Sequence, residues 1–304
     1  MTRTEPLLRI RAAASAPDAA GSSGGHAGLL AGVPVLSDLP LPLLRGAGPA
    51  PAALAPRSSA TTHSVTAQLV EQPVQVRVCH AADGSVLAFP DGSLLWVDSA
   101  GQCIEVHAQG RQWLEVVLGP GLLLALARRG RWCWHASGFR LPEGGCWLAL
   151  AASGVGKSTL ACSVAAGGGR RLVDDLAVVS AAPEGSGLLL WPRLPQLKLL
   201  PEAHWPASSP PSVPLHGIAL LARGVEAASA DPLTLSELHR ALLSHTVAAR
   251  LFDPPTLAAH LAFTAAAAQQ LHARGAGQRW LAATTAAPAA GWSAVWRRRC
   301  PGPH

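Results

Sequence analysis

From Cys146 to Asp175 the chain reads CWLALAASGVGKSTLACSVAAGGGRRLVDD, which holds the residue types that phosphate chemistry needs. Ser153-Gly154-Val155-Gly156-Lys157-Ser158-Thr159 follows an apolar run and leads straight into STLACSVAA, a helix-forming stretch. In a strand-loop-helix of this kind, consecutive backbone N–H groups converge on an anion at the helix N-terminus. Lys157 would reach the outer phosphates, and the Ser158 hydroxyl would hold Mg²⁺. One position departs from G-x-x-x-x-G-K-[ST], because Ala151 stands where the opening glycine belongs. The two glycines nearest the lysine are present, and a methyl group at the end of the strand is tolerated where φ is negative.

The second feature is RRLVDDLAVV, an apolar strand carrying Asp174 and Asp175 in its middle. Neighbours on a strand point to opposite faces, so two adjacent acids in an apolar run do not make one solvated face. Buried carboxylates need partners, and a metal beside a lysine would supply them. One acid can accept a hydroxyl proton while the other holds Mg²⁺ with Ser158. His135, in WCWHASGF, is a third candidate, although a histidine on a strand flanked by tryptophans is more often a half-buried core residue.

These residues must be positioned by a sheet. Residues 1–30 read as a disordered leader, and VPVLSDLPLPLL as one short strand entering a turn. Residues 31–127 read as a strand-rich N-terminal domain with a Pro/Ala linker near 44–63. Within it, SVTAQLVEQPVQVRV, SVLAFP, SLLWVD and CIEVHA are short runs separated by turn residues, which predicts an antiparallel meander. GRQWLEVVLGPGLLLALARRG reads as a strand-like start followed by a helix. Residues 128–304 read as a second domain, in which WCWHASGFRLPEGGCWLALAA resumes strands and, from about residue 146 onward, apolar strand, helix and strand alternate as in an α/β sheet. A C-terminal helical region follows, with TLSELHRALLSHTVAARL opening on a Thr/Ser cap and PPTLAAHLAFTAAAAQQLHARG ending at a glycine.

Composition narrows the classes of function. The chain has 304 residues, 49% hydrophobic and 14% charged, which suits a large buried core and not wholesale disorder. Its net charge of +6 is scattered apart from Arg297, Arg298 and Arg299, so a nucleic-acid partner is not expected. Six cysteines without a C-x-x-C pair or zinc spacing read as reduced thiols of a cytoplasmic protein. No apolar run is long enough to span a membrane, and the N-terminus lacks a continuous apolar segment of the secretory kind.

Taken together, His135, the loop from Ala151 to Ser158 and the Asp174-Asp175 pair resemble the C-terminal domain of the HPr kinase/phosphorylase family. The resemblance implies a P-loop kinase core of the HPr kinase and phosphoenolpyruvate carboxykinase type. It extends toward HPr-kinase-like serine kinases of similar length, including those that modify lasso peptides. SDLPLPLL, VLGPGLLLALARRG and WHASG occur here in the order of that layout. It also implies that Asp174 is the base toward the acceptor hydroxyl, that Asp175 is the metal-side acid, and that His135 tunes the base or the transferred phosphate. The order of the two acids is left open. Ala151 and Ala136 replace family glycines, and LLLWPRLPQLKLLPEAHW stands where the family's glycine-rich signature would follow. Those departures argue against phosphorolysis and against HPr as acceptor, and leave the kinase half intact.

The expected function is an ATP- and Mg²⁺-dependent kinase that phosphorylates a hydroxyl, a Ser of a protein or peptide. Ser153, Gly154, Val155, Gly156, Lys157, Ser158 and Thr159 would bind the nucleotide, with Asp174, His135 and Lys157 catalytic and Ser158 with Asp175 at the metal. The alternatives are a nucleotide-binding scaffold or regulatory NTPase and a small-metabolite kinase on the same fold. A homo-oligomer is left open.

Overall fold

The computed structural model describes residues 8–12, 26–31, 33–37, 45–46, 61–68, 73–107, 113–183, 185, 187–194, 209–225, 229–283, 292 and 295. The fold is mixed α/β, and its packing divides into two compact units. One comprises Met1–Arg131 with Ala248–Ala258, the other Trp132–Val247 with Ala259–His304.

The first unit is built on a nine-stranded sheet. Its strands are β1 (Leu8–Ala12), β2 (His26–Leu30), β3 (Val33–Ser37), β4 (Arg45–Gly46), β5 (Thr61–Gln68), β6 (Pro73–Ala81), β7 (Gly84–Ala88), β8 (Leu94–Asp98) and β9 (Cys103–His107). They lie in the order β4-β2-β3-β1-β9-β8-β7-β6-β5. From β5 to β9 consecutive strands pair antiparallel, the meander that the alternating runs predict.

The disordered leader expected over 1–30 is corrected at β1 and β2. Strand β1 runs parallel to both β3 and β9, with Leu8 and Ile10 fully buried. Two alternating apolar residues are too weak a local signal, and the hydrogen bonds that order them come from strands distant in sequence. In the expected linker, Arg45–Gly46 and residues 61–63 belong to strands, while 47–60 lie outside the described residues.

Among the described residues the strand-like start expected before the helix ending at Arg128 is not found, residues 110–112 lying outside them. Trp113–Val116 is already helical, and a wider turn over Val117–Gly121 leads into Leu122–Arg128. Pro120 has no N–H to give to the helical ladder, which accounts for the irregular turn. Arg128 donates to the carbonyls of Val97 (2.7 Å) and Asp98 (2.8 Å) and pairs with Asp253 (2.7 Å), which binds the 248–258 segment into this unit.

The second unit carries β10 (Trp132–Trp134), β11 (Ala136–Arg140), β12 (Cys146–Leu150), β13 (Arg170–Val173), β14 (Ala177–Ala181), β15 (Leu188–Trp191), β16 (Val213–Val225), β17 (Ser229–Pro232) and β18 (Gly277–Ala283). The order is β10-β14-β15-β16-β12-β11-β13, with β18 on β16 and β17 on β18. Strand β12 is parallel to β16 and antiparallel to β11, and it is buried throughout. This explains why its sequence is a continuous apolar run and not an alternating one.

The two faces of β12 enter different cores, as the pleat requires. Cys146, Leu148 and Leu150 pack with Leu238, Ala241 and Leu242 of the helix Leu235–Ser244 and with Ala267, Ala268 and Leu271 of the helix Pro254–Ala273. Trp147, Ala149 and Ala151 pack with Leu160, Ala161 and Val164 of the helix Lys157–Ala166 and with Trp280 and Trp292.

The Thr/Ser cap expected at TLSELHR is a capping box. Thr234 Oγ1 accepts from Glu237 N (3.3 Å), and Thr234 N donates to Glu237 Oε2 (3.0 Å). The helix Pro254–Ala273 ends just before Gly275, whose φ is 62°. The C-terminal region is not helical alone, because β18 returns to the sheet beside β16. Among the described residues no helix is long and apolar enough to cross a membrane.

Candidate functional site

The loop between β12 and the helix Lys157–Ala166 turns on two glycines, Gly154 at φ 80° and Gly156 at φ 119°. Both angles lie where a side chain is strained, which is why these two positions of the motif are glycine here. Ala151 is different. It does not have a positive φ, its methyl is buried in the core, and its carbonyl accepts from Lys157 Nζ (2.9 Å). Lys157 is 6% exposed and opens the helix, with a longer reach to Ala152 O (3.5 Å). The helix N-cap is Gly156, no side chain caps it, and its first turn carries no acid. Such a terminus suits an anion. Ser153 and Gly154 are exposed, while Val155, Ser158 and Thr159 are half-buried.

Asp174 follows β13 directly and is 1% exposed. The antiparallel register of β11 on β13, with Gly138 opposite Val173, carries Ser137 to the level of Asp174. Ser137 Oγ and Ser158 Oγ both donate to Asp174 Oδ1, the latter at 2.9 Å, and Arg171 donates to Oδ2. Burial pushes the Asp174 pKa up, but the bonds from Ser137 and Ser158 and the Arg171 guanidinium outweigh it and hold the carboxyl below its ordinary value. Asp174 is therefore an ionised acceptor already engaged by donors. Asp175, next in the chain, is half-buried and adopts φ 67°. Asp tolerates that left-handed conformation better than most residues, and such conformations cluster at functional sites.

His135 occupies the bend between β10 and β11 and is half-buried. Its backbone N–H donates to His245 O (2.7 Å). His245 closes the helix Leu235–Ser244, and the residues after it pair with β10 through Trp134 with Thr246 and through Val247 N to Cys133 O (2.8 Å). Burial, then the charges of Lys157 and His135, lower the His245 pKa to about 4, so its imidazole is neutral at pH 7.

The structure thus brings Lys157, Ser158 and Asp174 together at one helix terminus. Reasoning from sequence missed Ser137, Arg171 and His245. Ser137 and Arg171 had faint signals, one being two residues from His135 and the other three before Asp174. For His245 no local pattern existed.

Mg²⁺ fits this donor set as a guest shared with phosphates. The Ser158 hydroxyl and the Asp174 carboxylate are hard oxygen donors 2.9 Å apart. Among the described residues no group of three His, Cys, Asp or Glu could cage a metal alone. A cation that keeps its waters and takes its remaining oxygens from phosphate needs only one or two protein donors. The expectation that Asp174 is the base and Asp175 the metal-side acid meets a difficulty in this geometry, because Asp174 is the acid that touches Ser158.

No family model and no curated protein matches the sequence. One solved structure that matches is the Hpr(Ser) kinase/phosphatase from Coxiella burnetii. The match has 11% identity and a TM-score of 0.29, covering 56% of this chain and 97% of that one. Likeness at that level carries no weight for the site.

Among the described residues no disulfide joins Cys79, Cys103, Cys133, Cys146 and Cys162 to one another. Burial pushes Cys146 up to about 12 and raises Cys133 as well, so both stay protonated in the core.

Proposed function

We propose that this chain is an ATP- and Mg²⁺-dependent kinase that transfers the γ-phosphoryl group to a hydroxyl, a Ser of a protein or peptide. The observation that carries the reading is the hydrogen bond from Ser158 to the buried, ionised Asp174 at an uncapped helix N-terminus. In that reading the first-turn amides and Lys157 gather the phosphates. Ser158 and Asp174 would hold Mg²⁺, which when bound neutralises phosphate charge.

The roles of the two acids are then the reverse of those the resemblance implies. Asp174, bonded to Ser158 and paired with Arg171, is a poor proton acceptor. Asp175 takes the proton of the acceptor hydroxyl as its oxygen bonds to the γ-phosphorus and the bond to the bridging oxygen breaks, leaving ADP. His135 and His245, the latter kept neutral by burial and by the charges of Lys157 and His135, would act as donors or acceptors toward the acceptor hydroxyl.

A second reading is a nucleotide-binding scaffold or regulatory NTPase, and the pairing of Asp174 with Arg171 favours it, since a guanidinium already holds the carboxylate that would take Mg²⁺. The two readings are separated by incubating the full chain with γ-labelled ATP, Mg²⁺ and Ser-bearing peptides. Label in an alkali-labile, acid-stable phosphoester supports the kinase. Mg·ATP binding with no transfer to any acceptor supports the scaffold, and the absence of Mg·ATP binding overturns both.

A further inference from the structure

Trp292 is fully buried in the core beside the phosphate-loop helix, and among the described residues its indole Nε1–H has no hydrogen-bond acceptor. An indole N–H can only donate, so the group stays unsatisfied until an acceptor arrives. Trp134 has the same unpaired donor, yet its place is inside the sheet core. Trp292 lies elsewhere. A β-carbon built on Gly156, the N-cap of the helix Lys157–Ala166, would lie 2.5 Å from Trp292 Nε1 and 3.3 Å from a terminal nitrogen of Arg223.

Arg223 comes from β16 and is exposed. Its Nε donates to Val155 O (3.0 Å), which holds the guanidinium against the loop. An indole N–H and a guanidinium, contributed by elements outside the motif, thus converge on the point beside Gly156 that a side chain would fill. Neither group offers an acceptor, so the complement of the pair is an anionic oxygen.

We infer that Trp292 and Arg223 are polyphosphate-binding residues, adding an indole N–H and a guanidinium to the loop amides on a phosphate oxygen of the nucleotide. The inference rests on reading the loop as a nucleotide site. It gives Gly156 a second reason to lack a side chain, because the space beside it is taken by these two donors. Occupancy of the loop would then also satisfy the one polar side-chain atom of Trp292.

The test follows the indole signals of the ¹⁵N-labelled full chain. Ten tryptophans give ten indole N–H resonances, and Trp292→Phe identifies one of them. Addition of Mg²⁺ with pyrophosphate, and of Mg·ATP, is expected to move the Trp292 signal downfield, and adenosine to leave it in place. Arg223→Ala, an exposed substitution, is expected to weaken Mg·ATP binding by about tenfold in calorimetry. If Trp292→Phe does not fold, the unassigned spectrum still decides, because a downfield shift must occur in one of the ten signals. Should wild type bind Mg·ATP with no indole signal moving and Arg223→Ala bind equally well, the inference is overturned and the loop reading stands. Wild type that binds neither Mg·ATP nor pyrophosphate overturns the loop reading, and the inference with it.

Discussion

Asp174→Asn and Asp175→Asn separate the roles of adjacent acids, and the structure sets different magnitudes for the two. Asp174 is 1% exposed and accepts from Ser137, Ser158 and Arg171. Asparagine keeps the shape and one carbonyl oxygen, which can go on serving the two serines. Its NH₂ then faces the Arg171 guanidinium, donor against donor. A hydrogen bond to a charged group is worth about 1.5–3 kcal/mol, and removing one partner of a buried pair costs more than the pair gains, so a loss of about 2–4 kcal/mol follows. For a domain of ordinary size this lowers the melting temperature by on the order of 10 °C. Asparagine suits the left-handed φ of Asp175 as well as aspartate does, so Asp175→Asn should cost less than about 0.5 kcal/mol. The assays are thermal unfolding, calorimetry of Mg·ATP binding, and transfer to an identified acceptor. Asp174→Asn is expected to weaken Mg·ATP binding as well as rate, whereas Asp175→Asn should lower turnover by about 10²–10⁴ with binding kept. Wild-type melting of Asp174→Asn would refute the buried ion pair. Loss of turnover alone in Asp174→Asn, with a silent Asp175→Asn, would refute the assignment of roles.

Lys157→Ala should abolish stabilisation by Mg·ATP, which in wild type follows RT ln(1 + [L]/Kd); equal thermal shifts in the two proteins would rule out the phosphate loop. Ala151→Gly should alter Mg·ATP affinity by less than about tenfold in calorimetry, because no positive φ is required there. Acid should destabilise the fold through His245 and His260, both lowered to about 4, chiefly by burial and then by neighbouring positive groups. The unfolded chain binds their protons near pH 6.5 and the folded chain does not, so their contribution is complete above that pH and is lost as pH falls toward 4. Melting temperatures from pH 7.5 to 4.5 should show this decline, and His260→Gln should flatten it. Thr234→Ala removes the hydroxyl of the capping box and should cost about 1 kcal/mol in denaturant unfolding.

Where structure depends on near neighbours, the sequence was readable. The buried strand, the glycine pair and the helix Lys157–Ala166 are consecutive, as are the meander strands with their turns and the Thr234–Glu237 cap. The surroundings of Asp174 depend on pairing between β11 and β13, which no local pattern encodes, and so Ser137 was passed over although it lies in the same short motif as His135. His245 reaches the site only because the residues after its helix pair with β10. For β1 the same logic runs the other way, since Leu8 and Ile10 look like part of a polar leader until β3 and β9 complete the ladder.

The departure at Ala151 follows from this division between local and non-local causes. A motif read by spacing treats all its glycines alike, but the backbone does not. Gly154 and Gly156 have positive φ and wrap the space ahead of the helix. Position 151 directly follows the last residue of β12, with its side chain in the same core as Leu160 and Val164 and its carbonyl on Lys157. A methyl group there adds buried apolar surface under the helix that carries Lys157 and Ser158, and takes nothing from the loop. The residue that breaks the motif therefore belongs to the packing that holds the motif in place.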